Sequence, residues 1–345
     1  MEQRLTRLWY GEGAGAAPLL RGLSWIYGAV VRLRSRAYAA HWLKSQRAGK
    51  PVIVVGNLTV GGTGKTPLVA WLAERLAQRG LRVGIVSRGY GRSFDEPHLV
   101  EPDSSWREVG DEPLLLRRRT GCLTMVGRER VAAARALVAH GVDVIIADDG
   151  LQHLRLSRDC EIVVIDGSRG FGNGRLLPAG PLREPASRLL RADVTVVNGQ
   201  LEHRSLQQER ATAAALVTMA MAAGNACRVD GGALQQPLES FRGQRAHAVA
   251  GIGNPSRFFR DLRERGIEII EHPFADHHPF VERDLEFGDL LPVLMTEKDA
   301  VKCREFASPR LWYVPISARF GEPQERELLQ RVLRKTGLAA AIKRG

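Results

Sequence analysis

The sequence predicts an α/β protein built on a parallel sheet with helices on both faces, and three observations carry that prediction. Short β-branched runs alternate with helical patterns from residue 51 onward. The runs are apolar throughout rather than alternating, as strands buried on both faces require. The residues with chemical potential follow directly after the runs, where ligands of such sheets gather.

Residues 51–55 read as a strand, then a glycine-rich loop, then a helix over 67–79. That helix turns Leu68, Trp71, Leu72 and Leu76 inward and has Gly80 past its end. A second strand over 81–86 ends at Ser87-Arg88-Gly89-Tyr90-Gly91. Helices over 112–119 and 129–140 flank a strand at 123–126, and a strand over 143–147 runs into Asp148-Asp149-Gly150. Strands over 161–165 and 193–197 complete this series. A second series begins near residue 236, with strands over 246–252, 268–270, 292–295 and 312–315. It also holds a helix over 258–265 and a terminal helix from about Glu322. A smaller α/β domain is expected there, its boundary in Asp230-Gly231-Gly232. The chain then divides as 1–50, 51–235 and 236–345.

Composition fits a soluble globular chain rather than a disordered or multi-span one. Cys122, Cys160, Cys227 and Cys303 show no Cys-x-x-Cys spacing and read as small buried residues in a reducing compartment. The first apolar stretch is broken by Arg21 and Arg32, so no secretory signal is read there. The net charge of +12 is uneven: residues 1–50 hold nine Lys/Arg against two acids, Glu2 and Glu12. The same segment carries Trp9, Trp25, Trp42, Tyr10, Tyr27 and Tyr38. Leu19, Leu23, Ile26, Val30, Leu33 and Ala37 form one helical stripe, with Arg21, Arg32 and Arg36 roughly opposite. No run reaches the ~20 apolar residues of a spanning helix. Two readings stand: a helix packed on the core with solvated arginines, or an interfacial helix on an anionic membrane. Nucleic acid is not expected as a partner, because no base-reading module is visible.

Gly61-Gly62-Thr63-Gly64-Lys65-Thr66 follows the first strand and opens a helix. Loop N–H groups and the helix N-terminus can face phosphate oxygens, Lys65 supplies a point charge, and the Thr66 hydroxyl can ligate Mg²⁺. Thr59 stands where the common spacing has its first glycine, so the close backbone approach falls later. A nucleoside triphosphate site is expected. Asp148-Asp149 then has the pattern of a Mg²⁺-holding carboxylate, with adjacent acids pointing in different directions. Asp111, in Gly110-Asp111-Glu112-Pro113, is either an N-cap or a carboxylate facing the site. Of His277 and His278, only one can face a given site, and a surface histidine is the plainer reading. The absence of ligand spacing disfavours a Cys/His metal centre. The Gly/Pro-set stretch 170–184 reads as a functional loop in which Arg175 and Arg183 could grip phosphate or remain solvated. Lys298, after a strand, is offered as a contact to the nucleotide-binding part.

Taken in order, 56–67, 87–91, 110–113, 148–152, 177–184, 251–255, 276–277 and 296–299 resemble the tetraacyldisaccharide 4′-kinase family, the lipid A 4′-kinases of Gram-negative bacteria. The phosphate loop is not specific to it. Its combination with Asp-Asp-Gly-x-Gln and Leu-Pro-Ala-Gly-Pro-Leu-Arg-Glu is, and the basic aromatic helix resembles the family's N-terminal membrane helix. The family's loop also has Gly-Gly ahead of Thr/Ser-Gly-Lys. The resemblance implies a P-loop NTPase-like domain and a smaller domain closing on a cleft. It implies ATP and Mg²⁺, and an acylated disaccharide 1-phosphate as acceptor of the phosphoryl group. It also implies a monomer at the cytoplasmic face of the inner membrane, peripheral or monotopic. By position it gives Lys65 the phosphates, gives Thr66 with Asp148 or Asp149 the metal, and makes Asp111 with His277 the proton-accepting unit. A membrane-associated P-loop switch ATPase is the competing class. It would explain the loop and the first helix, but has no need of Asp111, His277 or a second domain.

Overall fold

A computed structural model describes residues 8–11, 18–89, 96–203, 215–232, 234–306 and 308–339. Glu2, Arg4, Arg7, Glu12, Tyr90 and Gly91 lie outside the described residues. The elements begin with α1 (Pro18–Ala39), β1 (Val52–Gly56), α2 (Lys65–Ala77), β2 (Val83–Ser87) and β3 (His98–Val100). Then come α3 (Trp106–Val109), α4 (Asp111–Thr120), β4 (Leu123–Val126), α5 (Arg130–Ala139) and β5 (Val144–Asp148). β6 (Cys160–Asp166), β7 (Val194–Asn198), β8 (Leu216–Ala223), β9 (Ala226–Arg228) and β10 (Gln235–Gln236) follow. The last group is β11 (Arg245–Ala250), α6 (Pro255–Glu264), β12 (Glu268–Pro273), β13 (Val293–Thr296), α7 (Glu297–Cys303), β14 (Leu311–Val314), β15 (Ile316–Arg319) and α8 (Glu322–Thr336).

Among the described residues, one sheet has the order β15-β8-β7-β6-β1-β5-β2-β4-β3 and a second β10-β9-β14-β13-β11-β12. In the first, strands β8 to β4 pair in parallel and only the edges β15 and β3 are antiparallel. Every residue of β1 is buried. Ile53 and Val55 face a core shared with Leu68 and Leu72 of α2 and Leu328 and Val332 of α8. Val52 and Val54 face the opposite core, with Val131 and Leu137 of α5. Alternate residues of a strand point to opposite faces, so a strand covered on both sides is apolar at every position. The expected α/β architecture stands.

The change of sheet does not fall once at 235/236. It falls at Gly224-Asn225, where β8 gives way to β9, and again at Pro315, where β15 and α8 return to the first sheet. Gly224 N–H donates to Pro315 O at 2.8 Å and holds the two crossings side by side. The glycines at 231–232 belong instead to the turn joining the antiparallel pair β9 and β10, with Gly231 at φ 81°. The strand expected over 246–252 stops at Ala250, because Gly251 N–H turns to Asp299 Oδ2.

The first helix reverses ordinary amphipathicity. Leu19, Leu23, Ile26, Val30 and Leu33 are all exposed, and Trp25 is 73% exposed. Its seated face carries the hydrogen bonds: Ser24 Oγ donates to Leu176 O at 2.8 Å and Tyr27 OH to Arg183 O at 2.9 Å, with Gly28 buried against Leu176 and Leu20 and Val31 half-buried. The core-packed reading of the stripe is therefore corrected. Ser24 and Gly28 let the helix backbone approach the 170–184 loop, and the stripe of Leu19, Leu23, Ile26, Val30 and Leu33 is left outside. No helix among the described residues is long and apolar enough to cross a membrane.

Candidate active site

Polar residues stand at the carboxyl ends of the buried parallel strands: Ser87 on β2, Asp148 on β5, Asp166 on β6 and Asn198 on β7, with Asn57 directly after β1. That edge is where an open parallel sheet binds its ligand. The registry Val55↔Asp148 puts the β5 carboxylate beside the start of the phosphate loop, one strand spacing away.

The loop is held from beneath. Asn57 Nδ2 donates to Thr59 O at 2.7 Å and Gly61 O at 3.3 Å, and Asn198 Nδ2 donates to Thr63 O at 3.1 Å. Gly64 caps α2 in the left-handed region at φ 94°, so Lys65 and Thr66 begin the helix and its N-terminus faces the cleft. Gly61 and Gly62 come against Gly253 of the loop after β11, where an added methyl would meet Gly62 N at 3.1 Å. Lys65 Nζ donates to Asn57 Oδ1 at 3.1 Å and lies 3.6 Å from Asp149 Oδ1.

The two acids diverge as expected. Asp149 leaves the strand at φ 47° and meets Arg183 Nη1 at 3.1 Å. Burial would raise its carboxyl, but the Lys65 and Arg183 cations outweigh that and hold it at about 2. Asp148 is 1% exposed; burial, then Glu112 and Asp149, push it up to about 7. Its Oδ1 is buried without a hydrogen-bond partner. Hard oxygen donors of this kind, with the Thr66 hydroxyl, suit Mg²⁺, which takes few protein ligands and keeps phosphate and water oxygens.

In the wall of the same cleft, Asp111 opens α4 and is 4% exposed. It is no N-cap: Gly110 holds that place. His277, in the left-handed region at φ 59°, brings Nδ1 to 3.0 and 2.9 Å from the two Asp111 oxygens. The sequence thus placed 166 residues apart a pair that the fold brings into contact. Burial alone would raise the Asp111 carboxyl, but His277, Lys298 and Lys302 hold it below the usual range. His278 turns away to Asp284 Oδ2 at 2.9 Å and braces the 278–284 turn.

The 170–184 loop joins the parts. Val60 N–H donates to Pro181 O at 2.9 Å, Trp9 Nε1 to Pro178 O at 3.0 Å, and Gln152 Nε2 to Glu184 Oε1 at 2.9 Å. Arg183 lines the cleft, whereas Arg175 is exposed and does not. One cleft of about 1110 Å³ runs past Lys65, Thr66, Asp111, Asp149, Arg183, His277 and Lys298.

Sequence reasoning missed several residues here. Asn57 and Asn198 had a legible signal, an amide closing an apolar strand. Arg88, Arg130, His153 and Arg169 also line the cleft. His153 is pushed down to about 4, by burial and then by the Arg130, Arg88 and Arg34 cations. Lys302 was missed as well: its ammonium, fully buried, lies 2.9 Å from Asp299 Oδ1, outside hydrogen-bond angles, and 3.8 Å from Asp111 Oδ2. Lys302→Met leaves the buried Asp299 carboxylate without its cation. It is expected to destabilise the fold by about 3 kcal/mol, read from urea unfolding midpoints.

A family model described as tetraacyldisaccharide-1-P 4′-kinase matches residues 16–334. The tetraacyldisaccharide 4′-kinase of Alkalilimnicola ehrlichii is 52% identical over 318 residues, 92% of each chain. That of Stenotrophomonas maltophilia is 50% identical over 312 residues, 90% of this chain and 91% of the relative. A crystal structure of LpxK from Aquifex aeolicus in complex with ATP superposes with a TM-score of 0.73 at 28% identity, over 91% of this chain and 98% of that one.

Proposed function

The chain belongs to the tetraacyldisaccharide-1-phosphate 4′-kinase family, and from that membership we propose how the residues of the cleft divide the work. The reaction transfers the γ-phosphoryl group of ATP to the 4′-hydroxyl of a tetraacyl disaccharide 1-phosphate. The product is the bisphosphate precursor of lipid A, lipid IVA, in lipopolysaccharide biosynthesis. The observation that carries the assignment of roles is the Asp111–His277 pair, which shares one cleft with the phosphate loop.

Lys65, the N–H groups of Gly61, Gly62, Thr63 and Gly64, and the α2 N-terminus hold the ATP phosphates. Thr66 and Asp148, with Asp149 beside them, would hold Mg²⁺; the buried, unpartnered Asp148 Oδ1 supports this, since a cation there would satisfy it. When bound, Mg²⁺ neutralises charge on the β- and γ-phosphates. Asp111 with His277 accepts the sugar proton as the new bond forms. A sugar alcohol is far less acidic than either side chain, so the pair helps only in the transition state. Arg88 and Arg130 make a cationic wall, with His153 held neutral beside them as a hydrogen-bonding group, that suits the acceptor's own 1-phosphate. By sheet, the donor domain is residues 51–224 with 316–339, and the smaller domain is 226–314.

The exposed stripe supports the membrane reading. α1 lies in the plane of an anionic bilayer, with Trp25 and Trp42 at headgroup depth, and the protein works as a peripheral or monotopic monomer at the cytoplasmic face of the inner membrane. Replacing Leu23, Ile26 and Val30 together with glutamine is expected to weaken binding to anionic vesicles by about 10²-fold, leaving ATP affinity unchanged. Unaltered vesicle sedimentation would remove that role from the stripe.

The deciding assay measures ATP turnover with and without an acylated disaccharide 1-phosphate. A phosphorylated lipid product is expected. Turnover indifferent to the lipid would favour the switch ATPase.

A further inference from the structure

Lys298 projects from the first turn of α7 into the crevice between the sheets, its side chain 15% exposed. It donates to Glu112 Oε1 at 3.1 Å and to Asp276 Oδ1 at 3.2 Å, and its Nζ lies 3.3 Å from His277 Nε2. Glu112 is the neighbour of Asp111, and Asp276 is the neighbour of His277. The ammonium therefore clamps both halves of the pair from a third element.

The contacts to Asp111 and Lys298 fit one assignment for the imidazole. An ammonium has only donors and an ionised carboxylate only acceptors. Nδ1, facing Asp111, must carry the proton, and Nε2 must present its lone pair to Lys298. We propose that Lys298 is a positioning residue that fixes His277 as the neutral Nδ1–H tautomer and so directs the sugar proton to Asp111. The inference rests on the reading of Asp111 and His277 as the proton-accepting unit. With Nε2 occupied, the imidazole has no free acceptor. The hydroxyl proton passes to the Asp111 carboxylate as the 4′-O–P bond forms. The bond from the γ-phosphorus to the bridging oxygen breaks, and ADP leaves with the electron pair.

The charged groups around His277 set the sign of the pH response. Asp111 and Glu112 face it from α4, Lys298 from α7 with Lys302 behind Asp111, and Asp276 from its own loop at 3.9 Å. The Asp111 hydrogen bond raises His277 above the usual imidazole value, while burial and Lys298 pull it down. Removing Lys298 lets His277 stay protonated to higher pH. A cationic His277 stabilises the Asp111 anion further and makes it a poorer proton acceptor.

The test is the pH profile of kcat for the full chain, with ATP and an acylated disaccharide 1-phosphate, for wild type, Lys298→Met and Lys298→Arg. The acidic limb of Lys298→Met is expected to move up by about 1 pH unit, so that its rate deficit shrinks toward alkaline pH. Lys298→Arg, which keeps the cation, is expected to bring the limb most of the way back. An unmoved limb, or an equal loss at every pH, overturns the proposal. Should Lys298→Met not fold, ¹⁵N NMR of histidine-labelled wild type at about pH 8, assigned with His277→Gln, reads the tautomer directly. An Nε2–H ring or an imidazolium would overturn it equally. Asp111→Ala separates the two levels. A normal rate in that variant defeats the parent reading, whereas an inactive Asp111→Ala beside an unmoved Lys298→Met limb defeats the Lys298 role alone.

Discussion

Asp111→Ala is expected to lower kcat by about 10²–10⁴-fold, with little change in ATP affinity. The carboxylate is engaged by His277 Nδ1 and lies 3.8 Å from Lys302, which makes it the acceptor's partner rather than a phosphate ligand. Its loss also strips His277 of the partner that orients Nδ1. Because burial makes an unpaired charge costly, the nearby Lys302 is left facing Asp299 alone, and a modest fall in stability should accompany the fall in rate. Steady-state kinetics on the folded variant, with ATP binding measured separately, decides the matter. A normal turnover number would exclude Asp111 as proton acceptor.

Lys65→Ala is expected to reduce kcat/KM for ATP by about 10³-fold, at least as severe as the loss of one preorganised donor to a developing oxyanion. The ammonium is preorganised by Asn57 Oδ1 at 3.1 Å and by Asp149. Lys65→Arg should not restore the rate, since a planar fork cannot replace a compact charge seated on one amide oxygen. If Lys65→Arg turned over like wild type, the charge alone would be the requirement and the Asn57 seat would have no role.

The parallel sheet was legible because its strands are apolar at consecutive positions, which only a strand buried on both faces tolerates. The phosphate loop and Asp148-Asp149 were legible for a related reason: each is a local pattern, a strand followed within a few residues by the groups it delivers. The strands over 216–223, 226–228 and 316–319 were not read. They are short or alternate in burial, and their pairing partners lie far along the chain. The 231–232 glycines misled because a tight turn and a linker share one composition.

What the sequence determined by itself was local: a glycine-rich loop that opens a helix, a carboxylate at the adjoining strand end, and an N-terminal helix with an apolar stripe. Tertiary structure alone decided which face of that helix is covered, since Ser24 and Gly28 gave the closer approach and left the stripe outside. It also decided that His277 meets Asp111, that His278 does not, and that Lys298 stands between the two sheets at the pair. Those contacts join residues on separate sheets, and no periodicity along one chain encodes a distance across a crevice.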